Sequence, residues 1–219
     1  VSEATPLTAR EELEQAKLQA EIAKLTAEAR RWGFEAQRAQ KEMEAWDAGS
    51  DEHRIYNYFG TVDAGGVHSA IDVIGNWTRR PTENKNLTVV LNSPGGSVIH
   101  GLALYDFLEG LKGEGWRITT IARGMAASMG GVLLQVGDER IIGKNANLLI
   151  HEVSTLGIGK LSEIEDEIKF TKKLQERLLD ILASRSTMTK EQIKNKWRRK
   201  DWWLGSEETL ELGFADRIG

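Results

Sequence analysis

The sequence predicts an α/β domain with a largely parallel sheet, preceded by a long helix. Three observations predict it. From Arg54 onward, short β-branched or apolar runs alternate with segments of helical period, the texture of repeated strand–helix–strand units. The run Leu87-Thr88-Val89-Val90-Leu91 is compact and apolar, as in a strand buried on both faces. Gly95-Gly96 and Ser128 each follow a strand-like run, and open parallel sheets carry their sites at such strand ends.

At 219 residues the chain is long enough for a core of ordinary size, with one main domain and an appendage. Its 29 Lys and Arg against 33 Asp and Glu make it mildly acidic, which favours neither nucleic acid nor an anionic membrane as partner. There is no cysteine, so disulfides, thiolate metal sites and a cysteine nucleophile are excluded. No apolar run is long enough to span a bilayer, and residues 1–30 are charged where a signal peptide would be apolar. A soluble protein of the cytoplasm is expected. The sequence begins at Val1 rather than Met, so it is read as having lost its natural start.

Residues 6–47 are rich in Ala, Glu, Lys, Gln and Arg, with Gly33 the sole glycine, and read as one long helix. Thr5 before Pro6 fits an N-cap with proline at the first helical position, and Thr8 to Glu11 offers an alternative capping box. Leu18, Ile22, Leu25, Ala29, Trp32, Ala36, Ala39, Met43 and Trp46 recur in alternating steps of four and three, the seam of a coiled coil. An amphipathic helix docked on the domain's own surface is the competing reading. Glu mixed with Lys and Arg on the polar face argues against membrane binding. Asp47 to Asp51 breaks the pattern, which divides the chain into a helical segment 1–47, a linker 48–53 and a main domain 54–219.

Within the main domain, Ile55–Phe59 alternates like a strand and Val67–Trp77 reads as a helix after Gly65-Gly66. Leu87–Leu91 runs into Asn92-Ser93-Pro94-Gly95-Gly96-Ser97, after which Val98, Leu102, Tyr105 and Leu108 recur at helical spacing. Pro94 fixes one dihedral while the two glycines permit positive φ and close backbone approach. Such a turn can present an N–H to an oxyanion or pair with an extended peptide, although an ordinary βα turn has the same composition. Arg117–Ala122 is the next strand, and Ser128–Val136 is too apolar for a solvent-facing segment and reads as a buried helix. Ser128 then lies at a strand-to-helix turn, beside the unpaired amides of a first helical turn. There it serves as a nucleophile or as a simple N-cap.

Two further strands are expected at Arg140–Ile142 and Asn147–Ile150, the second ending on His151. A histidine there can act as general base, because its ordinary pKa lies near neutrality. His53, His68 and His100 lack ligand spacing, so no metal site is expected. Residues 154–159 read as a loop or weak strand, and Leu161, Ile164, Ile168, Leu174, Leu178 and Ile181 mark a long charged helix that can project beyond the core. Thr189 to Gln192 is a capping box for a short helix, and Ser206–Leu212 forms another before Gly213. Lys196 to Trp203 interleaves cations with tryptophan, a pattern read as a solvated face in preference to a nucleic-acid surface.

Four motifs in order, Asn92-Ser-Pro-Gly-Gly96, Gly124-Met-Ala-Ala-Ser-Met-Gly130, His151 after an apolar strand, and Trp203 to Asp216, resemble the ClpP family of serine peptidases. The resemblance covers about residues 54–218 and is nearest in character to ClpP-like proteases of tailed phages and prophages, which mature capsids by cleaving scaffold and head proteins. It implies the ClpP/crotonase spiral of βαβ units with a handle helix at about Leu161–Arg185 that assembles homo-oligomeric rings. It further implies Ser128 as nucleophile, His151 as base and the amides of Gly96 and Met129 as oxyanion hole. Gly95, Ser97, Val98 and Ser154 would flank an extended protein substrate, with no cofactor. Three departures stand out. The stretch matching the family's aspartate reads Asn195 to Lys200, and only Asp201 is acidic, placed where a local backbone shift is expected before it reaches His151. Met125 replaces the family's usual Gln. The long helix stands where bacterial ClpP carries the loops that engage an ATPase.

The reading is therefore a serine endopeptidase of phage capsid-maturation type, with a scaffold, capsid or portal partner for the N-terminal helix. Its rivals are a housekeeping ClpP subunit working with an ATPase and an assembly factor that has lost its triad. An acyl-CoA enzyme of the crotonase branch fits less well, because Gly-x-Ala-Ala-Ser with a later histidine suits hydrolysis.

Overall fold

A computed structural model describes residues 17–26, 28, 53–155 and 158–219. The chain forms two compact units, Val1–Glu52 and His53–Gly219. In the first, residues 17–26 are helical, and the seam residues Leu18, Ile22 and Leu25 are exposed. The expected continuation of the seam from Ala29 to Trp46 lies outside the described residues.

In the second unit the elements run β1 (Ile55–Phe59), α1 (Ala64–Thr78), β2 (Asn86–Ser93), α2 (Val98–Gly113), β3 (Arg117–Ala127), α3 (Met129–Leu134), β4 (Glu139–Ile142) and β5 (Asn147–Ile150). They continue as α4 (Leu161–Ser184), α5 (Lys190–Trp197), β6 (Trp202–Leu204), α6 (Ser206–Glu211) and β7 (Arg217–Ile218). The mixed α/β expectation is met. Strands β1-β2-β3-β4-β7 lie side by side and parallel, β5 adds in parallel to β3, and β6 adds antiparallel to β5. Helix starts follow local chemistry: Asp63 Oδ1 accepts the Gly66 N–H at 2.8 Å, and Ser97 Oγ accepts the His100 N–H at 3.4 Å. Leu87, Leu91, Leu104, Leu108, Ile118, Leu133 and Leu134 are fully buried, and each such side chain contributes roughly 1.5–3 kcal/mol by leaving water.

Strand β3 runs to Ala127, beyond the expected end at Ala122. Its first half pairs with β4 (Thr119–Ala122 against Glu139–Ile142) and its second with β5 (Met125–Ala127 against Asn147–Leu149). The register against β2 shifts between Leu91 and Ser93, and Gly124 in the intervening bulge has φ +72°. A side chain there would be strained and would meet Asn92 Oδ1 at 2.9 Å, so glycine permits the change of partner. The two small residues that follow, Ala126 and Ala127, are buried and carry the strand to the serine.

Helix α4 has two characters. Leu174, Leu178, Leu179 and Leu182 are buried, whereas Leu161, Ile168 and Phe170 are exposed nearer its start.

Candidate active site

Ser128 takes φ +52° and ψ −121°, a conformation costly for a non-glycine residue. Surrounding bonds impose it. Its N–H donates to Leu149 O at 2.8 Å, extending the β3–β5 pairing, while its carbonyl accepts from Gly131 N at 2.9 Å and Val132 N at 3.2 Å. The hydroxyl makes no cap hydrogen bond to the helix, which departs from the N-cap reading. This is the geometry of a strained strand-to-helix elbow that lifts a hydroxyl clear of the backbone.

The Ser-Pro-Gly-Gly turn closes over that elbow. Ser93 is buried, its Oγ donating to Gly60 O at 2.6 Å and accepting from Gly95 N at 3.1 Å. Gly95 has φ +90°, and a Cβ there would lie 2.6 Å from both Ala127 O and Ser128 Cβ. At Gly96, Val62 forms a parallel bridge by donating to Gly95 O (2.8 Å) and accepting from Ser97 N (2.7 Å). A parallel bridge of this kind uses the neighbours of Gly96, so the N–H of Gly96 itself points to the opposite edge. Met129 is buried, its side chain lying where a Cβ on Gly101 would be, 2.2 Å from Met129 Cγ.

His151 follows β5 directly. Ala127 is level with Leu149 in adjacent parallel strands, so Ser128 and His151 emerge from neighbouring carboxyl ends. Gly96, Val98, Ser128, His151 and Ser154 all line one pocket, walled by Val132, Ile150, Val153, Leu178, Leu182 and Trp197. Ser97 is the cap of α2, and Asp201 is exposed and lies outside the pocket lining. The antiparallel register of β5 with β6 pairs Ile150 with Trp202. The pairing stops there: His151 and Asp201 lie one residue beyond its last pair, and neither belongs to a strand. Among the described residues no hydrogen bond joins Ser128, His151 and Asp201; such contacts commonly tighten only when substrate binds.

The apolar wall was hidden in sequence. Leu178 was legible as a helix-stripe residue, but Trp197 sat within a cationic run; it is buried while Arg198, Arg199 and Lys200 are exposed. Also hidden was the network that anchors the far end of α3. Arg140 donates to Asp216 Oδ1 (2.6 Å), to Gln135 Oε1 (2.7 Å) and to the carbonyl of Arg185, and Gln135 Nε2 donates to Gly131 O and Phe214 O, both at 3.2 Å. A charged residue directly before the buried Ile141 and Ile142 of a strand demands such partners, which was the available signal. Partial burial pushes the Asp216 carboxyl up, but the Arg140 side-chain and backbone hydrogen bonds and its charge outweigh this and hold it below 3.8.

A pH consequence follows from that sign. With the folded pKa depressed, the stabilisation is complete above the ordinary carboxylate value and is lost as pH falls through the lowered one. Asp216→Asn is expected to lower the melting temperature near neutrality and to flatten the loss of stability in strong acid. Thermal melts of both proteins from neutral pH down to acid check this. Parallel curves would show that Asp216 does not carry the linkage.

An α/β fold with a serine elbow and a histidine at the ends of adjacent parallel strands defines the class. A family model for Clp protease matches residues 78–219. The ATP-dependent Clp protease proteolytic subunit 2 of Tropheryma whipplei (strain Twist) is 40% identical over 136 residues, which cover 61% of this chain and 73% of that protein. The ATP-dependent Clp protease proteolytic subunit of Deinococcus radiodurans is 33% identical over 136 residues, covering 61% of this chain and 65% of the relative. The chain belongs to the Clp protease family. Among the described residues no helix is long and apolar enough to cross a membrane, and no group of three His, Cys, Asp or Glu is placed to hold a metal ion.

Proposed function

We propose that the chain is a ClpP-type serine endopeptidase acting on extended protein segments. The observation that carries this is the meeting of Ser128 and His151 in one pocket at neighbouring strand ends. Ser128 Oγ attacks the scissile carbonyl carbon while His151 accepts its proton. The oxyanion forms against the amides of Gly96 and Met129, the first turned from its bridge and the second at the start of a helix. The tetrahedral adduct collapses as the C–N bond breaks and His151 protonates the leaving amine. Water, deprotonated by His151, then hydrolyses the ester and restores Ser128. Asp201 orients the imidazole. Gly95 to Val98 on one side and Ser154 on the other flank the peptide, and the apolar wall favours an apolar side chain beside the scissile bond. This chemistry requires no cofactor.

The exposed Leu161, Ile168 and Phe170 of α4 suit burial between copies, which supports a homo-oligomeric ring. For the biological setting we retain processing of phage scaffold or capsid proteins in the host cytoplasm or procapsid, with residues 1–47 engaging a scaffold, capsid or portal protein. The support is the heptad pattern from Leu18 to Trp46, which precedes the matched residues 78–219 and offers a surface for a helical partner. The names of both relatives, ATP-dependent Clp protease proteolytic subunits, favour the alternative, a subunit that works with an ATPase.

A fluorophosphonate probe is expected to form one adduct, mapped to Ser128 by peptide mass spectrometry, and the protein to cleave an unstructured polypeptide. Absence of an adduct on the folded oligomer would overturn the peptidase reading. Cleavage without ATP or an added ATPase would favour the phage setting over the alternative.

A further inference from the structure

Residues 152–155 follow His151 as the second flank of the pocket, yet they belong to no strand or helix. Among the described residues, their backbone is held by one hydrogen bond: Val153 N–H donates to Gln175 Oε1 at 3.1 Å. A second tie comes from a side chain, Thr155 Oγ1 donating to Glu167 Oε1. Both acceptors are on α4. Gln175 shares a helix face with Leu178 and Leu182, three and seven residues on, and these two leucines wall the pocket. One face of α4 therefore both lines the site and holds its flank.

We propose that Gln175 is a positioning residue, whose side-chain oxygen fixes the height of the segment after His151 so that Ser154 meets the substrate backbone in register. This deepens the peptidase reading and rests on it. Among the described residues no other hydrogen bond holds the backbone of this flank against retreat from the opposing Gly96–Val98 edge, and a retreat widens the cleft before it touches Ser128. The role belongs to the acceptor. A carboxylate at the same reach keeps it, whereas a thioether of similar volume does not.

The test compares Gln175→Glu and Gln175→Met with the parent oligomer in three measurements: amide exchange of residues 152–155, steady-state kinetics on an extended fluorogenic peptide, and fluorophosphonate labelling of Ser128. One neutral hydrogen bond corresponds to about a fivefold to tenfold effect. Gln175→Met is expected to speed exchange at Val153 and to raise KM for the extended peptide by about that factor, with a smaller change in the labelling rate. Gln175→Glu is expected to restore most of both. Unchanged exchange in Gln175→Met, or equal losses in the two variants, would overturn the proposal. A parent that neither labels nor cleaves would instead overturn the peptidase reading, and the exchange comparison would still decide whether Gln175 holds the flank.

Discussion

Replacing Ser128 by alanine is expected to lower peptide turnover by roughly four orders of magnitude or more, the usual cost of deleting a triad nucleophile. The fold should survive. The bonds that impose the elbow run through the main chain, from Ser128 N to Leu149 and from Gly131 and Val132 to Ser128 O, and the hydroxyl caps nothing. Alanine bears the same cost at φ +52° as serine, so the substitution adds no new strain. The melting temperature and the sedimentation of the oligomer should therefore match those of the parent while kcat collapses. Turnover that persists in a folded Ser128→Ala protein would assign the nucleophile elsewhere.

Asp201→Asn should lower kcat by roughly a hundredfold or more with KM nearly unchanged. In the proposed triad the carboxylate holds one imidazole tautomer and stabilises the imidazolium that forms as Ser128 attacks. An amide of the same shape can present its NH2 to the ring and select the wrong tautomer. Asp201 is exposed, so its replacement should leave thermal stability unaltered, which separates this effect from unfolding. A rate within twofold of the parent would show that another group orients His151. The arrangement then to be sought is a main-chain carbonyl facing the ring.

Much of this domain was legible because its signals are local. The apolar runs at Leu87–Leu91 and Asn147–Ile150, the cap at Thr189 and the long stripe of α4 each declare themselves within a few residues. Strands β6 and β7 do not. Trp202–Leu204 and Arg217–Ile218 are too short to show a period, and they are strands because β5 and β4 offer them edges. The β5–β6 pairing, which ends at Ile150 and Trp202, one residue short of His151 and Asp201, was therefore not legible. Gln175 was hidden for a related reason: its partner is the backbone of Val153, and a main-chain amide leaves no trace in composition. The elbow at Ser128 was visible as a serine among small residues, and its strained dihedral was not.

The contacts of Arg140 carry a consequence for the order in which the molecule is made. Its guanidinium finds Gln135 five residues away, but the carbonyl of Arg185 is 45 residues later and the carboxylate of Asp216 is 76 residues later. Gln135 likewise waits 79 residues for the carbonyl of Phe214. Contacts of such sequence separation are late to form, because loop closure must precede any reward. While the chain emerges from the ribosome, Ser128 and His151 are translated well before the residues that lock the far end of α3. A nascent chain thus carries Ser128 and His151 without the bonds that steady the far end of α3. The full set of bonds around Arg140 and Gln135 can form only once Phe214 and Asp216 have been made, long after Ser128 and His151.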